Sequence, residues 1–106
     1  MYLRLTFFKV KSGEMDGLRN LYNNEVIPGH KRHEGNRFVH LLERLDAPDE
    51  GISVTAWDDQ PALDAYEDSG EYQRVLDTFR SFFDGEPKLQ AYQVTASSEP
   101  LLLRIF

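Results

Sequence analysis

Trp57, the single tryptophan of this 106-residue chain, lies two positions after Thr55 and four after Ser53. Residues at even spacing in an extended strand share a face, so the indole and both hydroxyls line one side of Ile52–Trp57, and Ile52, Val54 and Ala56 line the other. A flat aromatic surface beside hydrogen-bonding hydroxyls suits a pocket wall that orients a small apolar molecule. The same residues also suit a core in which the indole N–H finds an acceptor nearby.

Histidine is the natural general base near neutral pH, and the chain has three: His30, His33 and His40. If a helix that starts near Met15 continues through Pro28, His33 falls on the stripe of Met15, Tyr22 and Val26, with His30 at the stripe's edge. If Pro28 ends the helix, both histidines are loop residues. His40 alternates with Phe38 and Leu42 along a strand, a position for a substrate contact or for a half-buried histidine making one hydrogen bond. Tyr66 offers a hydroxyl as donor or weak acid, whereas Tyr72 reads as core. His33 and Trp57 are therefore the candidates for chemistry, and Ser53, Thr55, Tyr66 and His40 for substrate binding. His30, His33 and Glu34 could share a metal, but no second His or carboxylate pair is marked by spacing, so neither a metal nor another cofactor is expected.

These side chains need elements to position them. Tyr2–Lys11 alternates as a strand with large residues on both faces, Leu3, Leu5 and Phe7 against Tyr2, Phe8 and Val10. Met15, Leu18, Leu21, Tyr22 and Val26 recur at helical spacing up to Pro28, which stops or kinks the helix. Arg37–Leu45 is a second strand, and 47–51 form a hairpin connection into the third. Asp59 caps the next helix, with Pro61 in its first turn and Ser69–Gly70 as an interruption. The helical pattern resumes through Tyr72, Val75, Leu76, Phe79, Phe82 and Phe83, stops at Asp84, Gly85 and Pro87, and leads into a fourth strand, Leu89–Ala96. Asp58, Asp59, Asp64, Glu67 and Asp68 crowd the start of that helix, where its dipole favours them, and read as capping and solubility. The β-α-β-β-α-β order predicts a single α+β, ferredoxin-like domain over residues 1–106, with both helices on one face of an antiparallel sheet. The apolar tail of Leu101, Leu102, Leu103, Ile105 and Phe106 is expected to dock on the sheet or on a second subunit.

A net charge of −6 argues against binding a phosphate backbone, so no nucleic-acid partner is expected. The absence of cysteine excludes disulfides, thiolate nucleophiles and iron–sulfur clusters, and fits a cytoplasmic setting. The N-terminal strand reaches Lys9 and Lys11 without a long apolar run, so neither a signal peptide nor membrane association is expected.

The element order, with Trp57 ending strand three and followed by Asp59, Ala62, Tyr66 and then Ser69, Gly70, Glu71 and Tyr72, resembles the antibiotic biosynthesis monooxygenase family. As topology the likeness runs from Tyr2 to Ala96, and as motif from Ile52 to Tyr72. It implies a dimeric α+β barrel in which the sheets of two protomers pack face to face. Each protomer then keeps a small apolar pocket between its sheet and its helices. Relatives include oxygenases that use neither metal nor flavin, haem-degrading enzymes and proteins with no known reaction. In the quinone-forming branch the strand-three tryptophan works with an asparagine four residues earlier and a tyrosine six later, positions held here by Ser53 and Leu63. In the haem-degrading branch a tryptophan and a haem-ligating histidine align with Tyr66 and Leu76, and a strand-one asparagine with Thr6 or Phe7. Leucine cannot ligate iron, so haem degradation by that arrangement is not expected. The resemblance thus implies a homodimeric, cofactor-independent monooxygenase acting on a small aromatic or polyketide-like molecule. The alternatives are a non-catalytic or stress-linked protein that holds a small hydrophobic ligand and, third, a haem-binding relative that would ligate iron through His30, His33 or His40.

Overall fold

In the computed structural model, which describes residues 1–99, β1 (Tyr2–Lys9) lies between β3 (Glu50–Trp57) and β4 (Lys88–Gln93), and β2 (Asn36–Glu43) flanks β3. Every pairing is antiparallel, which gives the α+β, ferredoxin-like sheet order β2-β3-β1-β4. The register pairs Arg4 with Thr55 and Thr6 with Ser53, so these four side chains share the helix-covered face. Leu5 pairs with Val54 and Phe7 with Ile52 on the opposite face, joined there by His40 and Leu42 of β2. No helix among the described residues covers that second face, and Leu42 is half exposed on it.

β1, β2 and β4 are shorter than their apolar patterns, whereas β3 begins two residues earlier than its own. β4 stops at Gln93, not Ala96: among the described residues its only strand partner is β1, whose first strand residue, Tyr2, pairs with Gln93. β2 gives way before Leu45, which stands fully exposed in the hairpin. The expected docking of Leu101, Leu102, Leu103, Ile105 and Phe106 falls outside the described residues. No helix among the described residues is long and apolar enough to cross a membrane.

Pro28 does not end the first helix. α1 (Met15–Leu21) widens into a π turn (Tyr22–Val26), in which the Ile27 N–H bonds to the Tyr22 carbonyl, and continues as α2 (Ile27–Lys31). A proline inside an α-helix leaves one carbonyl without a donor and presses its ring on the carbonyl four residues back. The wider turn relieves that crowding, a common origin of π-bulges near functional sites. Met15, Leu18, Tyr22 and Val26 stay buried as the spacing requires.

Asp59 caps α3 (Gln60–Asp68), its carboxylate accepting the Ala62 N–H at 2.9 Å. Gly70, at φ +77°, turns the chain into α4 (Glu71–Phe79), and a short 3-10 turn (Arg80–Phe82) follows. Of α4 only Phe79 is fully buried, while Tyr72, Val75 and Leu76 are half-buried, so this helix stands off from the sheet. The core is therefore divided. Phe8, Leu18, Tyr22, Val26 and Phe79 form one cluster, and Trp57, Leu63 and Tyr66 form the other.

Candidate functional site

A cavity of about 50 Å³ lies where the two clusters meet, between the covered sheet face, α1–α2 and α4. Phe8, Leu18, Val26, Val75, Leu76 and Phe79 make its apolar walls. Arg4, Thr6, Tyr22, His30, Ser53, Thr55, Tyr66 and Tyr72 bring the polar groups. Few oriented polar groups in an apolar enclosure are the usual character of a small-molecule site. Cavities that take up benzene are nearer roughly 150 Å³, so an aromatic ligand would require α4 to move outward.

His30 is buried at 3% exposure, on the cavity wall. Its Nδ1 lies 3.0 Å from the Val26 carbonyl, which can only accept, so Nδ1 carries the proton and Nε2 keeps its lone pair. Among the described residues Nε2 has no hydrogen-bond partner. The ring centre of Tyr66 is 4.9 Å away and that of Trp57 6.3 Å. Burial pushes the His30 pKa below the ordinary histidine value, an effect only partly offset by the Val26 carbonyl and the Glu71 charge. The imidazole is therefore neutral at neutral pH.

His33, the histidine expected to face the sheet, lies instead beside the cavity and not in its wall. Its Nε2–H donates to Glu71 Oε2 at 2.9 Å, tying the end of α2 to the start of α4. His33 would share the stripe of Met15, Tyr22 and Val26 only on an unbroken α-helix. The π turn adds residues to one turn, and the helix stops at Lys31, two residues before His33. His30, four residues after Val26, remains on the buried side. The His33 contact also holds the Glu71 carboxyl below its ordinary pKa, with Arg74 adding to the effect.

Trp57 is completely buried, but it backs the wall and does not line it. Its indole N–H donates to Thr55 Oγ1 at 2.9 Å, and its ring lies 4.7 Å from that of Tyr66. Ser53, Thr55 and Tyr66 do reach the cavity. The Tyr22 hydroxyl donates to the His40 carbonyl at 3.0 Å, so the Ser53 hydroxyl, 2.8 Å away, donates to Tyr22. Burial pushes the Tyr22 phenol up to about 12 and raises Tyr66 as well, so both stay protonated and can donate. The His40 side chain is on the other side of the sheet, exposed and stacked on Phe38 at 4.5 Å, because it shares the helix-free face with Phe38 and Leu42. Only its backbone touches the site.

The sequence reading missed Arg4. It is 4% exposed, its guanidinium carbon lying 4.4 Å from the Tyr72 ring centre and 5.2 Å from that of Tyr66. The available signal was a cation on the inward face of an alternating strand, between Tyr2 and Thr6. No group of three or more His, Asp or Glu side chains among the described residues is placed to hold a metal.

The pKa directions at His30 and Glu71 have a stability consequence. For His30 the unfolded chain binds more protons than the folded one from its ordinary value of 6.5 down to its depressed folded value, so stability falls as pH drops through that window. Glu71, depressed from 4.5, adds a further loss at lower pH. Thermal melts are expected to show Tm declining from about pH 6.5 downwards, with the first part of that decline removed in His30→Leu. An unchanged decline in that variant would contradict the neutral buried imidazole.

A family model described as antibiotic biosynthesis monooxygenase matches residues 1–78. No curated protein matches the chain in sequence. Among solved structures, a proposed antibiotic biosynthesis monooxygenase from Nitrosomonas europaea superposes with a TM-score of 0.75 at 18% identity, covering 91% of this chain and 100% of its own. A corresponding protein from Deinococcus radiodurans gives 0.78 at 15% identity, covering 93% and 97%. SnoaB, a cofactor-independent oxygenase from Streptomyces nogalater, in a mutant form, gives 0.76 at 11% identity, covering 92% and 95%. These likenesses agree on the fold, and with three quarters of its length matched by the family model, the chain belongs to the antibiotic biosynthesis monooxygenase family.

Proposed function

We propose that this protein is a cofactor-independent monooxygenase acting on a small phenolic or enolic aromatic molecule, with His30 as general base. One observation carries the reading: a neutral, buried imidazole, with one nitrogen fixed on Val26, lines the cavity with its other nitrogen unpaired among the described residues. Oxygen reacts with such substrates without a metal or flavin when the substrate is an anion that can give up one electron. The protein's task is then to bind, orient and deprotonate. In the net reaction a ring CH2 and O2 become a ring carbonyl and water, so the substrate supplies all the electrons. Thr55, whose oxygen already accepts from Trp57, keeps its own O–H to orient a substrate oxygen. Tyr66 can donate in the same way.

Oxygen uptake tests the proposal. Purified protein with anthrone-type and dihydroxyaromatic probes should consume oxygen in proportion to product formed. Leu63, buried at 3% beside Trp57, stands where quinone-forming relatives use a tyrosine, which favours a second reading as a non-catalytic binder. That reading predicts a higher Tm with these probes and no oxygen consumed.

We also propose a homodimer interface on the sheet face away from the helices, where Leu5, Phe7, Phe38, Leu42 and Ile52 have no covering layer among the described residues. Leu42→Glu is expected to convert a dimer to a folded monomer in sedimentation analysis, since Leu42 is already 46% exposed within one chain. A wild-type monomer at micromolar concentration would refute this interface.

A further inference from the structure

Arg4 stands on the cavity wall in a state that the fold alone leaves incomplete. Its Nε and Nη1 are buried and have no hydrogen-bond partner among the described residues. Glu67 Oε1 is 3.5 Å from Nε, an ion-pair separation too long for a good hydrogen bond, and the Glu67 side chain is 46% exposed. The rings of Tyr66 and Tyr72 lie against the guanidinium, but a π face attracts the cation without accepting its in-plane N–H groups. A buried lysine could shed its proton to relieve such burial. Arginine cannot, so the charge persists. A planar fork of donors beside an apolar cavity matches a carboxylate, which accepts two parallel N–H bonds.

We propose that the cavity recognises an organic carboxylate, held by Arg4 through its carboxyl group, with its apolar body among Phe8, Leu18, Val75 and Phe79. The inference rests on this cavity being the ligand site and narrows the substrate class to acids that are already anionic when they enter. Glu67 is the anion the ligand displaces, and its half-exposed side chain can turn into water.

Calorimetric and thermal-shift titrations at pH 7 with benzoate and isobutyrate, each against its neutral amide, test the proposal. The carboxylates are expected to bind at least tenfold more tightly than benzamide and isobutyramide. Arg4→Met should abolish that preference, and Arg4→Lys should weaken it while retaining part, because lysine keeps the charge without the fork. Glu67→Gln should tighten carboxylate binding several-fold by removing the competing anion, an effect that a merely structural Arg4 would not produce. Equal binding of acid and amide, no binding of either, or full carboxylate affinity in a folded Arg4→Met protein would overturn the proposal. If that variant fails to fold, the wild-type and Glu67→Gln titrations decide alone. Dihydroxybenzoate that binds through Arg4 without oxygen uptake would sink the oxygenase reading and leave this one standing. Oxygen uptake from neutral substrates, with no acid preference, would do the reverse.

Discussion

His30→Gln is expected to lower oxygen-consuming turnover by about 10²–10⁴-fold, the usual contribution of a positioned general base. Glutamine is close in size to histidine and can still bond the Val26 carbonyl through its amide N–H, so the helix around the π turn should persist. What it lacks is a nitrogen able to accept a proton. The wild-type rate should fall on acidification below the ordinary histidine range, since burial displaces the His30 pKa downward and only the neutral imidazole can act. In His30→Gln that acid limb should vanish along with the activity. His33→Gln, by contrast, breaks a tie between α2 and α4 without removing a group from the cavity wall, and is expected to lose far less. If the His33 variant were the inactive one and the His30 variant retained its rate, the base would be His33 and the assignment made from burial would be wrong.

Trp57→Ala is expected to destabilise the fold by about 3–5 kcal/mol, the range for deleting a large buried aromatic side chain. The indole is completely buried, its ring packs against Tyr66, and its N–H satisfies Thr55 Oγ1. Both the packing and the hydrogen bond are lost, and the cavity left behind cannot close. Gly35, whose carbonyl accepts the N–H of the next residue, Asp58, is at φ +83°, and a Cβ there would lie 2.5 Å from the Ala62 Cβ, so this corner is already tightly packed. For a domain of this size the loss corresponds to a fall in Tm on the order of 15–30 °C, against a total stability of roughly 5–15 kcal/mol. Trp57→Phe should recover most of the stability and, if the indole supports the wall without touching substrate, nearly all of the turnover. A folded Trp57→Phe protein with turnover reduced a hundredfold would return Trp57 to the reaction itself.

The two predictions separate roles that look alike in the sequence. Trp57 and His33 carried the strongest local signals, yet the contacts place one behind the cavity and the other beside it. Ser53, Thr55 and Tyr66 reach the cavity because strand alternation and helix spacing are local periodicities, and these elements obey them. His40 follows the same alternation to the other face. The π turn is harder to foresee. Pro28 announced a disturbance, but whether the chain stops, kinks or widens depends on what the helix packs against.

By itself the sequence determined the element order, the large residues on both faces of β1, the Asp59 cap and the tryptophan that ends β3. Each depends on residues within one or two turns of each other. Only the tertiary structure decided which histidine faces the cavity, that Thr55 occupies the indole N–H, and that Arg4 is buried with donors to spare. The Thr55–Trp57 bond is short in sequence, but the placing of His30 against Trp57 and Tyr66, and of Arg4 against Tyr66 and Tyr72, depends on strands and helices far apart in the chain. It depends also on desolvation, which a side chain acquires only when the surfaces around it close.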